Sequence, residues 1–190
     1  MNKLLSFFQK YATPKNAIIV LVALQIVVQI LHKFDQPILA LTPGVGKLDL
    51  TFNYDVSTVT RLFDAYGEQG RTLYTRDLLV DTLYPVFQSL SAILFILLVV
   101  RNPFWQKLLI LFPVIFVPLD LIENFFFLSF LWSYPYLSAG LVQVANVITM
   151  IKLIAVDITT VEYFLFLLLA IIFAIASFVR NRLAVRQAID

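Results

Sequence analysis

The chain has 190 residues, 61% of them hydrophobic, and a mean hydropathy of +0.89. A soluble domain is about 45–50% apolar, so the excess marks an integral membrane protein. The formal net charge of +2 gives no reason to expect a nucleic-acid partner. The absence of cysteine removes disulfides, thiol–quinone chemistry and thiol nucleophiles. The single histidine, His32, cannot supply the imidazoles of a His-ligated catalytic zinc.

Residues 1–15 place Lys3, Lys10 and Lys15 around the short apolar patch Leu4–Phe8, the composition of an interfacial segment. The first apolar run, Asn16 to Leu31, is interrupted only by Gln25 and Gln29 and spans the bilayer with its flanks, over about 14–33. No small-x-small site follows closely, so it reads as an uncleaved anchor rather than a signal peptide. Residues 34–77 form an extracytoplasmic lid. Within it, Leu48, Leu50, Phe52 and Tyr54 alternate with polar residues, which reads as a strand or as an extended segment packed on the bundle. Val59, Leu62, Phe63 and Tyr66 then recur at helical spacing, with Asp55 or Ser57 to cap the start and Gly67 or Gly70 the end.

A second span covers about 78–100. Arg71, Tyr74, Asp81, Tyr84 and Gln88 fall near one stripe of its helix, and Pro85 predicts a kink beside them. The third span, about 108–132, carries Asp120, Glu123 and Asn124 at i, i+3 and i+4, hence on one face. The last apolar region, Leu141 to Val179, is longer than one crossing needs. It divides into a helical segment at 140–156, at or above the outer interface and carrying Asn146, Thr149 and Lys152, and a fourth span at 157–180. One long helix and two separate ones are both compatible with it, and Asp157 and Glu162 are expected at the water boundary. The fold class is therefore an all-α membrane protein, a four-transmembrane-helix bundle.

Eight of the fourteen Lys and Arg residues lie in 1–15, 101–107 and 180–190, where Asp190 is the only acid. The positive-inside rule then puts both termini in the cytoplasm, in the cell (inner) membrane, and the lid outside. Counting at 1.5 Å per residue from the cytoplasmic ends puts Asp120, Glu123, Asp81 and Tyr84 about 20–30 Å up, in the outer half of the bilayer. An ionised residue at membrane depth costs roughly 2.5–3.5 kcal/mol, so these acids must be paired, protonated or exposed to a polar cavity.

Two classes of function follow. In one, Asp120, Glu123 and Asp81 are the candidate acid–base groups of a cavity for a lipid-like or other amphipathic molecule. Arg71, Tyr74, Tyr84, Asn124 and Lys152 would then be its ligand-binding residues. In the other, the same polar residues only clamp the helices of an accessory or structural subunit. No standard spacing supports a metal site, and no cofactor is implied. The expected partners are membrane lipids, an amphipathic small molecule, and a second copy or another membrane protein. A four-span transporter would have to oligomerise.

The motifs Gly67-x-x-Gly70-Arg71-x-x-Tyr74, Asp81-x-x-Tyr84-Pro85 and Asp120-x-x-Glu123-Asn124, taken with Lys152, resemble a family of small, uncharacterised bacterial four-span membrane proteins. The resemblance covers Leu48 to Val179 and implies one constellation of residues, with no activity attached to it. A looser likeness is to four-span sterol isomerase and sigma-2-type proteins, whose pockets also use intramembrane acids. This chain departs from them in having no histidine within its spans.

Overall fold

The computed structural model describes residues 2–42 and 46–187, so Asp190 and residues 43–45 of the lid lie outside the described residues. All regular structure in the described residues is helical: α1 (Asn2–Tyr11), α2 (Pro14–Leu41), α3 (Val56–Asp81), α4 (Tyr84–Val99), α5 (Pro103–Leu109), α6 (Leu111–Ser133) and α7 (Ala139–Gln187), with a 3-10 turn at Leu48–Leu50. Four stretches are long and apolar enough to cross a membrane: Pro14–Leu41, Val56–Val99, Pro103–Ser133 and Ala139–Arg182. This is a multi-pass membrane protein.

Local chemistry explains the breaks. Thr13 caps α2 by accepting the Asn16 amide at 3.2 Å, with Pro14 in the first turn, where a missing N–H costs nothing. Helix α2 then runs on to Leu41, through the start of the expected lid. Asp55 caps α3 by accepting the Thr58 amide at 2.8 Å. Gly67 interrupts α3 at φ 60°, ψ −172°, a conformation reserved for glycine. The chain breaks again between Asp81 and Tyr84, because Pro85 has no N–H for the Asp81 carbonyl. Pro113 does the same for Leu109 where α5 gives way to α6.

Residues 48–54 are a 3-10 turn followed by coil, and no strand occurs among the described residues. The pairing groups a strand needs go elsewhere. The Tyr54 amide donates to Asn146 Oδ1 at 3.0 Å, and Asn53, at φ 59°, accepts from Asn146 Nδ2 at 3.2 Å. The Tyr54 hydroxyl meets Thr149 Oγ1 at 3.0 Å. The segment is thereby fastened to α7.

The last apolar region is one helix. At 1.5 Å per residue its 49 residues extend about 73 Å. It packs along both α4 and α6, while α2 packs on α3 and α4 and α1 lies against α4. Two apolar cores result. One gathers Ile38, Leu48, Phe63, Tyr74, Phe127, Phe130 and Val142; the other gathers Leu24, Ile93, Phe95, Ile96, Ile110, Tyr163 and Phe166. Along α6 and α7 the buried polar residues fall between these two cores, as a single layer. Glu162, expected at the water boundary, is instead buried on α7, one residue from Tyr163 of the second core; Asp157 is exposed. Outward, α2 and α7 present Ile18, Ile19, Val22, Ile171, Phe173 and Ile175, the faces a bilayer would cover.

Candidate functional site

The polar layer is built around two lysines. Helical spacing on α6 brings Asp120, Glu123 and Asn124 inward together, and all three are buried. From α7, Lys152 Nζ meets Glu123 Oε2 at 2.7 Å and Asp120 Oδ1 at 3.9 Å. Its burial (5% exposed against 0% for Glu123) makes this a desolvated pair. Lys152 also donates to the Asp49 backbone carbonyl at 2.9 Å, which ties α7 to the loop above α2. Asn124 Nδ2 donates to Asp120 Oδ2 at 3.1 Å and to Asp81 Oδ2 at 3.3 Å, linking α6 to the end of α3.

Lys47 forms the second centre. Its Nζ contacts Asp77 Oδ2 at 2.5 Å, Asp35 Oδ1 at 2.9 Å and Asp49 Oδ2 at 3.5 Å, and lies 5.9 Å from the centroid of the Tyr74 ring. Tyr74 donates its hydroxyl to Asp49 Oδ1 at 2.9 Å. The 3-10 turn, closed by Thr51 Oγ1 on the Lys47 carbonyl at 2.8 Å, sets Lys47 and Asp49 in place. Asp49 therefore joins the two centres, by its carboxylate to Lys47 and by its carbonyl to Lys152. Burial alone would lower the Lys47 pKa, but the Asp49 and Asp77 carboxylates override it and raise the pKa above the usual lysine value. Burial pushes Asp49 up, yet the Lys47 and Lys152 ammonium groups and the Tyr74 hydroxyl bring it below its ordinary value. Both groups are charged at neutral pH.

Beside this network lies a cavity of about 250 Å³, lined by Val28, Leu31, His32, Asp35, Lys47, Asp49, Leu50, Asp81 and Tyr84. Its residues come from α2, the 47–50 turn, the end of α3 and the start of α4. Val28 and Leu31 belong to the first apolar run; His32 and Asp35 lie one turn beyond it. Pro85 matters here because the break it enforces separates Asp81 from Tyr84 by only two non-helical residues, and both line the cavity. Tyr84 also stacks edge-on with Phe116 at 6.4 Å.

Of the residues singled out in the sequence, Asp81 and Tyr84 reach the cavity. Asp120, Glu123, Asn124 and Lys152 form one cluster behind it, connected to it through the Asn124–Asp81 hydrogen bond. Tyr74 touches the cavity-lining Asp49 and is fully buried. Arg71 belongs elsewhere. It donates to the Phe63 carbonyl at 2.8 Å and lies 4.8 Å from the centroid of the Tyr134 ring, bridging the Gly67 break. Tyr134 in turn hydrogen-bonds to Asp64.

Sequence reasoning missed Lys47, Asp49, Asp77 and Asp35. All four sit in the 34–77 segment, and Lys47 and Asp49 lie outside its α-helices, where no helical period assigns a direction to a side chain. Asp77 had a signal: it lies three residues after Tyr74 and four before Asp81, on the same stripe of α3. Among the described residues, no group of three or more His, Cys, Asp or Glu is arranged to hold a metal ion. No protein-family model, curated protein sequence or solved structure matches the chain, so the site stands on its own geometry.

Proposed function

We propose that this membrane protein binds an amphipathic small molecule in the cavity between α2 and α4, with Asp81 and Tyr84 as contact residues. One observation carries the reading. The same cavity is lined by the charged Asp35, Lys47, Asp49 and Asp81 and by the apolar Val28, Leu31 and Leu50. A ligand with a polar end and an apolar end satisfies both sets; a uniformly polar or apolar one leaves one set unpaired or wet. The change of lining coincides with the end of the first apolar run, so the cavity straddles the edge of the hydrocarbon. The distribution of Lys and Arg supports an inner-membrane protein with cytoplasmic termini and the cavity in the outer half of the bilayer. The proposed kinship with small bacterial four-span proteins belongs to the same reading and adds no activity to it.

Chemistry on the ligand would fall to Asp81, the acid at the cavity wall. Asp120 would act on it through Asn124, and Glu123 through Lys152 and Asp120, as positioning residues. A second reading has its own support. The Glu123–Lys152 pair is fully desolvated and joins α6 to α7, as a purely structural clamp in an accessory subunit would do.

Native mass spectrometry of the purified chain separates the two. A retained small molecule that Asp81→Asn loses, while circular dichroism and thermal midpoint stay near wild type, is the result expected of a cavity. Release from neutral detergent with no adduct, in wild type and variant alike, would leave the clamp. Glu123→Gln is expected to lower the midpoint under either reading, and under the cavity reading to weaken retention as well.

A further inference from the structure

We infer that the polar end of this ligand carries a positive charge: the cavity takes an organic ammonium group, with Asp81 as its counter-ion. The inference rests on the cavity reading above and gives that cavity a ligand class.

Charge is unbalanced in one connected, largely buried network. Five carboxyl groups (Asp35, Asp49, Asp77, Asp120 and Glu123) directly contact two ammonium groups, Lys47 and Lys152, and a sixth, Asp81, joins them through the Asn124 amide. Both lysines are already committed: Lys47 to three carboxylates, Lys152 to two and a carbonyl. Asp81 is the one acid of the six with no described lysine or arginine nitrogen within ion-pair distance. Its partner is the neutral Asn124 amide, which also serves Asp120 and cancels no charge. Asp81 also lines the cavity. Asp81 is half-buried, and a partly desolvated carboxylate without a counter-ion is unfavourable; a cationic ligand head relieves that cost where an anionic head would add to it.

Two further features favour an organic cation. Tyr84 brings an aromatic ring to the same cavity, and ammonium groups gain from ring faces. The described acids are not arranged as a metal-ligand set. Size sets the limit on what enters. A volume of about 250 Å³ corresponds to roughly eight waters at ~30 Å³ each, which is room for a head and a few carbons. The remainder of an alkyl chain would lie outside the cavity, along α2.

The test uses the full chain in a neutral maltoside detergent with four probes: decylammonium, butylammonium, decanol and decanoate, each titrated by thermal shift and calorimetry. Decylammonium is expected to bind at least about tenfold more tightly than decanol or decanoate. That preference is expected to vanish in Asp81→Asn and to survive in Asp81→Glu. Decanol binding as well as decylammonium would overturn the charge inference while leaving the cavity reading intact. Failure of all four probes would remove the cavity reading and the inference with it. Butylammonium equal to decylammonium would keep the ammonium site and make its occupant a small soluble amine instead of a membrane amphiphile. Should Asp81→Asn fail to fold, the ranking of the four probes on the wild-type chain decides the question.

Discussion

Lys47 meets three carboxylates, more than any other described cation, so the stability of the polar layer depends on it. Asp77 is completely buried and has Lys47 as its only described counter-ion. Removing one partner of such a pair costs about 3–5 kcal/mol, because the other charge stays buried and uncompensated, whereas replacing both by apolar groups is near neutral. Lys47→Met is therefore expected to lower the thermal midpoint sharply, and adding Asp77→Leu to recover part of the loss; a double variant worse than the single would refute the pairing. Asp49 adds a pH signature. Its folded pKa lies below the ordinary 3.8, so its contribution is present above that pH and is lost as pH falls through the folded value. The gap in thermal midpoint between wild type and Asp49→Asn should be widest near neutrality and narrow below about pH 4. Lys47 has the opposite sign, with a pKa raised above 10.5, so its contribution persists through the mildly alkaline range. A gap constant from neutral to acid pH would count against the Asp49 contacts.

Among the elements, α3 depends most on single residues. Gly67 and Gly70 lie one turn apart and do different work. A Cβ on Gly70 would meet Leu41 Cδ1 at 2.8 Å and Tyr66 Cβ at 2.9 Å, and the second of these cannot swing away. A Cβ on Gly67 meets nothing, but its φ of +60° and extended ψ strain any other residue by about 1–3 kcal/mol. Gly70→Ala should therefore disturb the packing of α2 on α3, read as faster hydrogen exchange near Leu41. Gly67→Ala should cost stability without that local signature. The same helix shows where sequence was legible. The 3.6-residue period identified Val59, Leu62, Phe63 and Tyr66 as one buried face and Asp120, Glu123 and Asn124 as another, because a helix converts spacing into direction. It did not foresee the surroundings of Arg71, which lies across the Gly67 break on the Phe63 carbonyl and the Tyr134 ring. Lys47 and Asp49 were not legible at all. Their direction comes from a three-residue turn held by side-chain hydrogen bonds to α7, a long-range contact that local pattern does not encode.

At the scale of the whole molecule, the four long apolar stretches were legible because composition alone sets them. The continuity of α7 was open only because one residue pattern suits one helix or two; Val156–Thr160 contains neither Gly nor Pro, and nothing there interrupts the backbone ladder. Orientation is the remaining global property, and the charge distribution makes a prediction about it. The 33–77 segment holds five basic and six acidic residues, whereas 1–15, 101–107 and 180–190 are almost purely basic. Translocating the basic segments opposes the membrane potential, by about 2.3 kcal/mol per charge per 100 mV, so they are expected to stay inside. The absence of native cysteine makes this directly measurable. Ala65→Cys and Ser6→Cys each introduce one thiol at an exposed site, at opposite ends of the bundle. In intact cells a membrane-impermeant maleimide is expected to label Ala65→Cys and to reach Ser6→Cys only after permeabilisation. The reverse pattern would invert the protein and turn the cavity beside Asp81 toward the inner leaflet. That outcome would change which pool of amphipathic molecules the cavity meets, while leaving its residues and their charge balance as they are.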